Sequence, residues 1–350
     1  MIDKLAIKSS LWPAIAAQLS ARPFRPHPLA KSGHAQTLIG YLYPRRGRLV
    51  REHLSDEKRL FEVAPGVQLL ALCRWQNNAQ HNHPTMLLVH GLEGSSNSVY
   101  MLGTAAKAFQ AGFNVVRLNL RTCGATENLT KTLYHSGMSQ DVRAVVKELI
   151  ERDGLENVFL VGFSLGGNMI LKLAGEFGEN APKELRGVCA VSPSIDLAAS
   201  AAAIGKRSNW LYNQKFISSL KQRMRRIDRL YPDIYDIKQL TSVRTIYDFD
   251  QNFTARYGGF KDVDDYYARS SSLLLIEQIR IPTLIIHAAD DPFVPINSFR
   301  QEALATNSFV VLLAPAHGGH VGFVAADKQS DNDCFWAENR VVEFCRLIMS

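Results

Sequence analysis

Nowhere in its 350 residues does this chain carry about eighteen consecutive apolar residues, so the sequence offers no membrane-spanning helix. Cysteine is scarce and unpatterned. The five residues Cys73, Cys123, Cys189, Cys334 and Cys345 are odd in number and scattered, and no C-x-x-C occurs. That argues against a disulfide framework and a thiolate zinc site and for a reducing compartment. Internal repeats and low-complexity tracts are also lacking. A short apolar patch, Leu11 to Ala17, is interrupted by Pro13, and Lys8 precedes it closely, so no cleavable signal is expected. A cytoplasmic location follows as the expectation.

Hydrophobic residues make up 46% and charged residues 21%, the proportions of an ordinary globular protein able to bury a substantial core. Net charge is +7, spread along the chain except for Lys221, Arg223, Arg225, Arg226 and Arg229, and a smaller cluster at Arg45, Arg46 and Arg48. Such clusters usually mark solvated faces. Their scatter argues against a nucleic-acid partner, while the denser one could meet an anionic lipid surface.

Periodicity divides the chain. Residues 1–47 are a Pro-punctuated lead-in with a short helix expected over 11–20. Residues 48–75 read as antiparallel strands, Arg48 to Leu54, Leu60 to Val63 and Val67 to Trp75. From Thr85 onward, apolar runs suited to buried parallel strands alternate with helical patterns up to Val191. The alternation stops near Pro193. It resumes with Pro282 to His287, a helix near 297–305, a strand over Ser308 to Leu313 and a last amphipathic helix, Cys334 to Ile348. The fold class is therefore α/β: a mostly parallel sheet over 48–194 and 273–350, with helices on both faces and a helical cap over 195–272. Such an insertion belongs over the C-terminal edge of the sheet. The cap is dense in aromatics, and an apolar acyl pocket is expected beneath it, with the basic run Lys221 to Arg229 on its outer face.

The strand Val158 to Gly162 ends in Gly162-Phe163-Ser164-Leu165-Gly166, and a helical pattern begins at Leu165. G-x-S-x-G between a strand and a helix fits a turn so tight that the serine is held strained, with its hydroxyl lifted out of the sheet. A serine needs a base within hydrogen-bond reach and a carboxylate to orient that base. After the strand Thr283 to Ile286 come Asp290 and Asp291. Asp291 is favoured because Pro292 and Pro295 set its loop, and Asp290 is assigned to the turn. After the next strand, Gly318-Gly319 lets the backbone bend just before His320, which is favoured over His317 as the base. The His317-x-x-His320 pair lacks a third ligand at metal spacing, so no metal is expected. The oxyanion hole is expected from the backbone N–H of Leu165 and, in the loop His90-Gly91-Leu92-Glu93-Gly94, from that of Leu92. The order Ser164, Asp291, His320 is that of α/β-hydrolases.

Six phrases then make a specific resemblance: His90 to Gly94, Tyr134-His135-Ser136-Gly137, Gly162 to Asn168, Asp265-Tyr266-Tyr267, His287 to Pro292, and Gly318 to Phe323. Together they resemble the YheT-like branch of the α/β-hydrolases, which includes embryogenesis-associated plant proteins. The likeness runs from His34-Ala35-Gln36-Thr37-Leu38 to the last helix. It implies carboxylester hydrolysis, on short- or medium-chain esters or acylglycerol-like lipids, by a triad of Ser164, Asp291 and His320 without a cofactor. One departure is Thr122 in Arg121-Thr122-Cys123-Gly124, where the family usually has glycine; it is expected to reshape the pocket floor. Cys123 is read as packing. Two other readings compete: an acyltransferase passing the same acyl-enzyme to an alcohol or thiol, and a non-catalytic binding protein. The oligomeric state is not legible.

Overall fold

A single eight-stranded sheet organises the chain. In the computed structural model, which describes residues 12–53, 55–76, 80–328, 331 and 333–350, its strands are β1 (Glu57–Ala64), β2 (Val67–Arg74), β3 (Thr85–Val89), β4 (Asn114–Leu118), β5 (Val158–Phe163), β6 (Leu185–Val191), β7 (Thr283–Ile286) and β8 (Val310–Leu313). Their spatial order is β1-β2-β4-β3-β5-β6-β7-β8. The hairpin β1–β2 and the pair β2–β4 are antiparallel; every other neighbouring pair is parallel.

The central strands β3 to β7 are almost wholly buried because both sheet faces are covered, and all but β4, which holds the buried Asn114 and Arg117, and β6, which holds Arg186, read as mainly apolar runs. One face carries the helices Ser139–Glu151 and Leu165–Phe177. The first of these presents Val142, Val145, Val146 and Leu149 at helical spacing to Leu160 and its neighbours. The other face carries Val99–Gln110 and Trp336–Met349, whose Met101, Ala105, Val341 and Phe344 meet Phe159 and Val161. Alternate residues of β5 thus serve opposite cores. No helix among the described residues is long and apolar enough to cross a membrane.

Two expectations fail near the N-terminus. Arg48 to Leu54 is not a strand: Arg46–Glu52 is a helix, and Leu54 lies outside the described residues. Leu49 packs on Val99, Leu102 and Ala106, and His53, one turn on, bonds the Leu102 carbonyl at 3.2 Å. Nor is Arg45 solvated: it is buried in a two-pronged pair with Glu338 of the last helix, at 2.9 and 2.5 Å. The segment expected as a lead-in, whose residues 1–11 lie outside the description, is structurally engaged. A helix covers 12–20, and Gly33–Leu42 is helical. The expected helix near 297–305 divides into a 3₁₀ turn, Ile296–Phe299, and a short helix, Glu302–Thr306. Between β6 and β7, residues 192–282 contain helical segments and no strand, among them Leu197–Ile204, Trp210–Leu230, Ile246–Phe249 and Val263–Ser270.

Candidate active site

Every loop that brings chemistry to the site leaves the C-terminal end of a parallel strand. At the end of β5 the chain must reverse into the helix Leu165–Phe177 within one residue. Ser164 takes φ 54° and ψ −120° to do so, a left-handed conformation that side chains rarely adopt. The turn sits against β3. A Cβ on Gly166 would lie 2.5 Å from the carbonyl oxygens of both Val89 and His90, so only glycine fits there. Asn168, one helical turn after the serine, is fully buried. Its amide donates to the Ser136 hydroxyl and the Ser270 carbonyl, both at 2.8 Å, and its oxygen accepts from the Ser272 N–H at 2.8 Å. That set of bonds ties the helix Leu165–Phe177 to the Tyr134–Gly137 loop and to the end of the expected cap.

The structure brings His320 to Ser164: its Nε2 lies 2.9 Å from Ser164 Oγ. On the other side, His320 Nδ1 is 2.8 Å from Asp291 Oδ2. Asp291 is enclosed, and its second oxygen accepts the Phe293 and Val294 N–H groups at 2.8 and 3.1 Å. Burial alone would raise this carboxyl. The charge and hydrogen bond of His320, the nearby His287 and the Phe293 N–H outweigh burial and hold it below the usual carboxylate range. Asp290 and His317 stay apart from the serine. Asp290 accepts the Gly319 N–H at 2.9 Å and pairs with the half-exposed His317 ring at 3.2 Å, which places it within the turn before His320.

Leu92 and Leu165 line the same cavity as Ser164. Their backbone N–H groups donate to nothing among the described residues, while Gly91, Glu93 and Gly94 beside Leu92 all have acceptors. Gly91 presses against Ser164, since a Cβ there would lie 2.9 Å from Ser164 Cβ. His90 holds this loop in place: its Nε2 accepts the Leu120 N–H at 3.1 Å and its Nδ1 lies 2.8 Å from the Gly91 carbonyl. These two bonds require the neutral ring, and complete burial pushes its pKa down to about 4.

Three groups of residues at the site carry roles that motif reading missed. Thr37 Oγ1, on the helix Gly33–Leu42, accepts the His320 N–H at 2.9 Å. Its neighbour Gln36, fully buried, donates to the Ala30 and Val324 carbonyls and accepts the Val324 N–H at 2.7 Å. The N-terminal His34-to-Leu38 phrase therefore braces the turn that carries His320. Arg223 does not lie on an outer face, as its basic run suggested, but is buried. It pairs with Glu93 at 2.9 Å, donates to Thr122 Oγ1 at 2.9 Å and covers the Tyr134 ring at 4.6 Å. Thr122, at φ 59°, thus spends its side chain on holding Arg223. Ser219 donates to Glu93 at 2.7 Å as well, so the helix Trp210–Leu230 is fastened to the residue after Leu92.

Ser164, His320, Leu92 and Leu165 open onto a cavity of about 80 Å³ beneath the helices of 195–272. Its walls are mixed rather than wholly apolar. Leu197, Ile204, Phe216, Leu220, Ile246 and Phe249 share them with Arg223, Asp250, Thr254, Tyr266 and Tyr267. Asp250 is the second missed feature of the cavity. Cys123 lies nearby but is inert: burial first, then Glu93, pushes its thiol up to about 12, against the pull of Arg223.

Comparison with known proteins identifies the fold. Residues 84–327 match the alpha/beta hydrolase fold family. The chain is 32% identical to YheT of Escherichia coli K12 over 89% of each chain. It is 28% identical to the mouse phospholipase ABHD3, covering 76% of this chain and 66% of that one, so it spans just under two thirds of that relative's length. Among solved structures, the Pyrococcus furiosus esterase Pf2001 shares the fold with a TM-score of 0.56, covering 86% of this chain and 94% of that one at 18% identity. The chain belongs to the α/β-hydrolase fold family and, within it, to the branch that contains YheT.

Proposed function

We propose that the protein is a serine hydrolase of carboxylic esters that works through an acyl-enzyme on Ser164. The observation that carries the reading is the unbroken relay from Ser164 Oγ to His320 Nε2 at 2.9 Å and from His320 Nδ1 to Asp291 Oδ2 at 2.8 Å. Ser164 Oγ attacks the ester carbonyl carbon as His320 Nε2 takes its proton, and Asp291 holds the ring with its Nδ1–H turned away from the serine. Negative charge builds on the carbonyl oxygen, where the N–H groups of Leu92 and Leu165 receive it. One such donor is worth about 2.7–4 kcal/mol in the transition state. The tetrahedral species collapses, His320 returns the proton to the departing alcohol, and a water activated by the same imidazole releases the acid. No step needs a cofactor.

The substrate class this favours is a small ester or an acylglycerol-like lipid entering beneath residues 195–272. Peripheral contact with an anionic lipid surface rests on a smaller basic face than the sequence suggested. Arg225 and Arg229 remain exposed, Arg223 is internal, and Arg226 pairs with Glu127 at 2.6 Å. The test of the reading is labelling by a fluorophosphonate together with hydrolysis of p-nitrophenyl butyrate. Ser164→Ala should abolish labelling and lower kcat by about 10⁴-fold or more with the fold intact. Undiminished hydrolysis by that variant ends the reading. Product analysis with added alcohols separates hydrolysis from acyl transfer.

A further inference from the structure

Asp250 lies where the helix Ile246–Phe249 widens into a π-helical stretch, Asp250–Ala255. Such widened turns occur mostly as single insertions and are frequent at functional sites. Two side chains aim its carboxylate: Thr254 Oγ1 donates to Oδ1 at 2.7 Å and Tyr267 OH to Oδ2 at 3.0 Å. Protein surrounds the residue, yet it keeps accessible surface and lines the cavity that holds Ser164. No cation pairs with it among the described residues, and Arg223, the other charged group on the wall, is committed to Glu93. Burial pushes the carboxyl up to about 6, so near neutral pH it is largely ionised. The two donors fill about half of the four acceptor positions of a carboxylate. An interior anion left so poorly compensated is costly unless something else completes it. The relay at Ser164 makes no use of it.

We propose that the Asp250 end of the cavity is a subsite for a hydrogen-bond-donating group, a hydroxyl or a protonated amine, carried by the ester whose carbonyl sits at Ser164. This rests on the ester-hydrolase reading. The carboxylate supplies the acceptor, and the aromatic residues Phe249, Tyr266 and Tyr267 line the same cavity. Thr254 and Tyr267 fix the carboxylate, so it is organised before substrate arrives. The cavity thereby reads one polar group at a distance from the scissile bond, which a purely apolar acyl pocket would reject.

The donor could belong to either half of the ester, and two series of substrates separate the cases. On the acyl side, p-nitrophenyl 6-hydroxyhexanoate and 6-aminohexanoate are compared with p-nitrophenyl heptanoate. On the alcohol side, 3-hydroxypropyl butyrate is compared with butyl butyrate, and 2-(dimethylamino)ethyl butyrate with 3-methylbutyl butyrate, by titration of the acid released. In one series the wild type should prefer the donor-bearing ester over its isostere in kcat/KM. Asp250→Asn should lower that preference about 10- to 100-fold for the amine, the scale of a hydrogen bond to a charged group, and less for the hydroxyl. Asp250→Leu should abolish both preferences. Fluorophosphonate labelling of Ser164 checks that each variant is folded. A merely structural Asp250 would lower all esters together and leave the ratios unchanged, which overturns the inference. So does a wild type without preference in either series, a result independent of how the variants fold. A protein that cleaves no plain ester at all sinks the esterase reading and this inference with it.

Discussion

Thr37→Val deletes one hydroxyl and leaves the side chain's shape nearly unchanged, yet it should damage catalysis from a helix that no motif assigns to the site. Thr37 Oγ1 accepts the His320 N–H at 2.9 Å and donates to the Gly33 carbonyl at 2.7 Å. Valine leaves the His320 N–H without its acceptor in a partly buried position, at a cost of about 1–3 kcal/mol. Gly318, Gly319, Val321 and Phe323 around His320 all have positive φ, and on either side of it the backbone is anchored, among the described residues, only by the Gly319 N–H on Asp290 Oδ1 at 2.9 Å and the Val321 N–H on Ser192 Oγ at 3.1 Å. If the turn relaxes, the imidazole leaves its line between Asp291 and Ser164, and a misplacement of about 1 Å can cost on the order of 10²-fold in rate. The expected outcome is a kcat on p-nitrophenyl butyrate lowered about 10- to 100-fold with KM changed less than about twofold, because substrate contacts stay in place. Thr37→Ser keeps the acceptor and should restore most of the rate. Urea unfolding run in parallel measures the stability cost. A valine variant with the stability loss but a kcat within about twofold of wild type would refute the bracing argument, because the turn would then hold His320 by its backbone alone.

Asp291→Asn should lower kcat by about 10³–10⁴-fold by favouring the wrong imidazole tautomer, whereas Asp290→Asn should cost far less because Asp290 reaches Gly319 and His317 and not His320; equal losses would refute the assignment. Arg223→Met should destabilise by about 3–5 kcal/mol, as it strands Glu93 in the interior, and Thr122→Gly by less than about 1 kcal/mol, since relief at φ 59° offsets the lost hydroxyl; urea midpoints decide both. Stability should fall with acid. Burial pushes His90, His135 and His287 down to about 4, so between pH 6.5 and 4 the unfolded chain binds protons that the native protein refuses. Asp250, raised to about 6, acts in the opposite sense, and the net of two groups gives up to about 2.7 kcal/mol lost per pH unit in that window. Urea titrations at pH 7, 6 and 5 test this, and a flat profile would mean those rings are not held neutral.

The meeting of Ser164, His320 and Asp291 in one relay was legible because each rests on a local necessity. A strand that turns into a helix through one strained serine needs glycine at 166, and a base arriving on a short loop needs the bend at Gly318 and Gly319. These constraints act within a few residues, so they leave a mark in the sequence. The brace from Thr37 to His320 joins residues 283 positions apart, and the bond from Arg223 to Thr122 joins residues 101 apart. Threonine and arginine at such positions look like any others. The strand expected over 48–54 failed for a related reason: a pair of apolar residues between arginines fits either period, and only the packing of Leu49 on the helix Val99–Gln110 decides for a helix.

The charged residues of 195–272 are a different matter, because their placement was written in the sequence and obscured by counting charges along the chain. Arg223 stands on the same stripe as Ile217, Leu220, Met224 and Ile227, all buried. At 3.6 residues per turn that stripe faces inward whatever the neighbouring arginines do. Asp250 follows Ile246 by one turn and precedes Thr254 by another, beside the buried Phe249 and Phe253. A charge on the apolar stripe of a helix must be desolvated when the helix docks, a penalty that an exposed position two residues away would avoid. Arg223 offsets its penalty with Glu93 and Thr122, both inside the protein. Among the described residues Asp250 has two hydroxyl donors and no counter-charge, so the compensation left outstanding falls to whatever enters the cavity. The same wheel that puts Phe249 in the core therefore marks Asp250 as a charge that no cation among the described residues offsets.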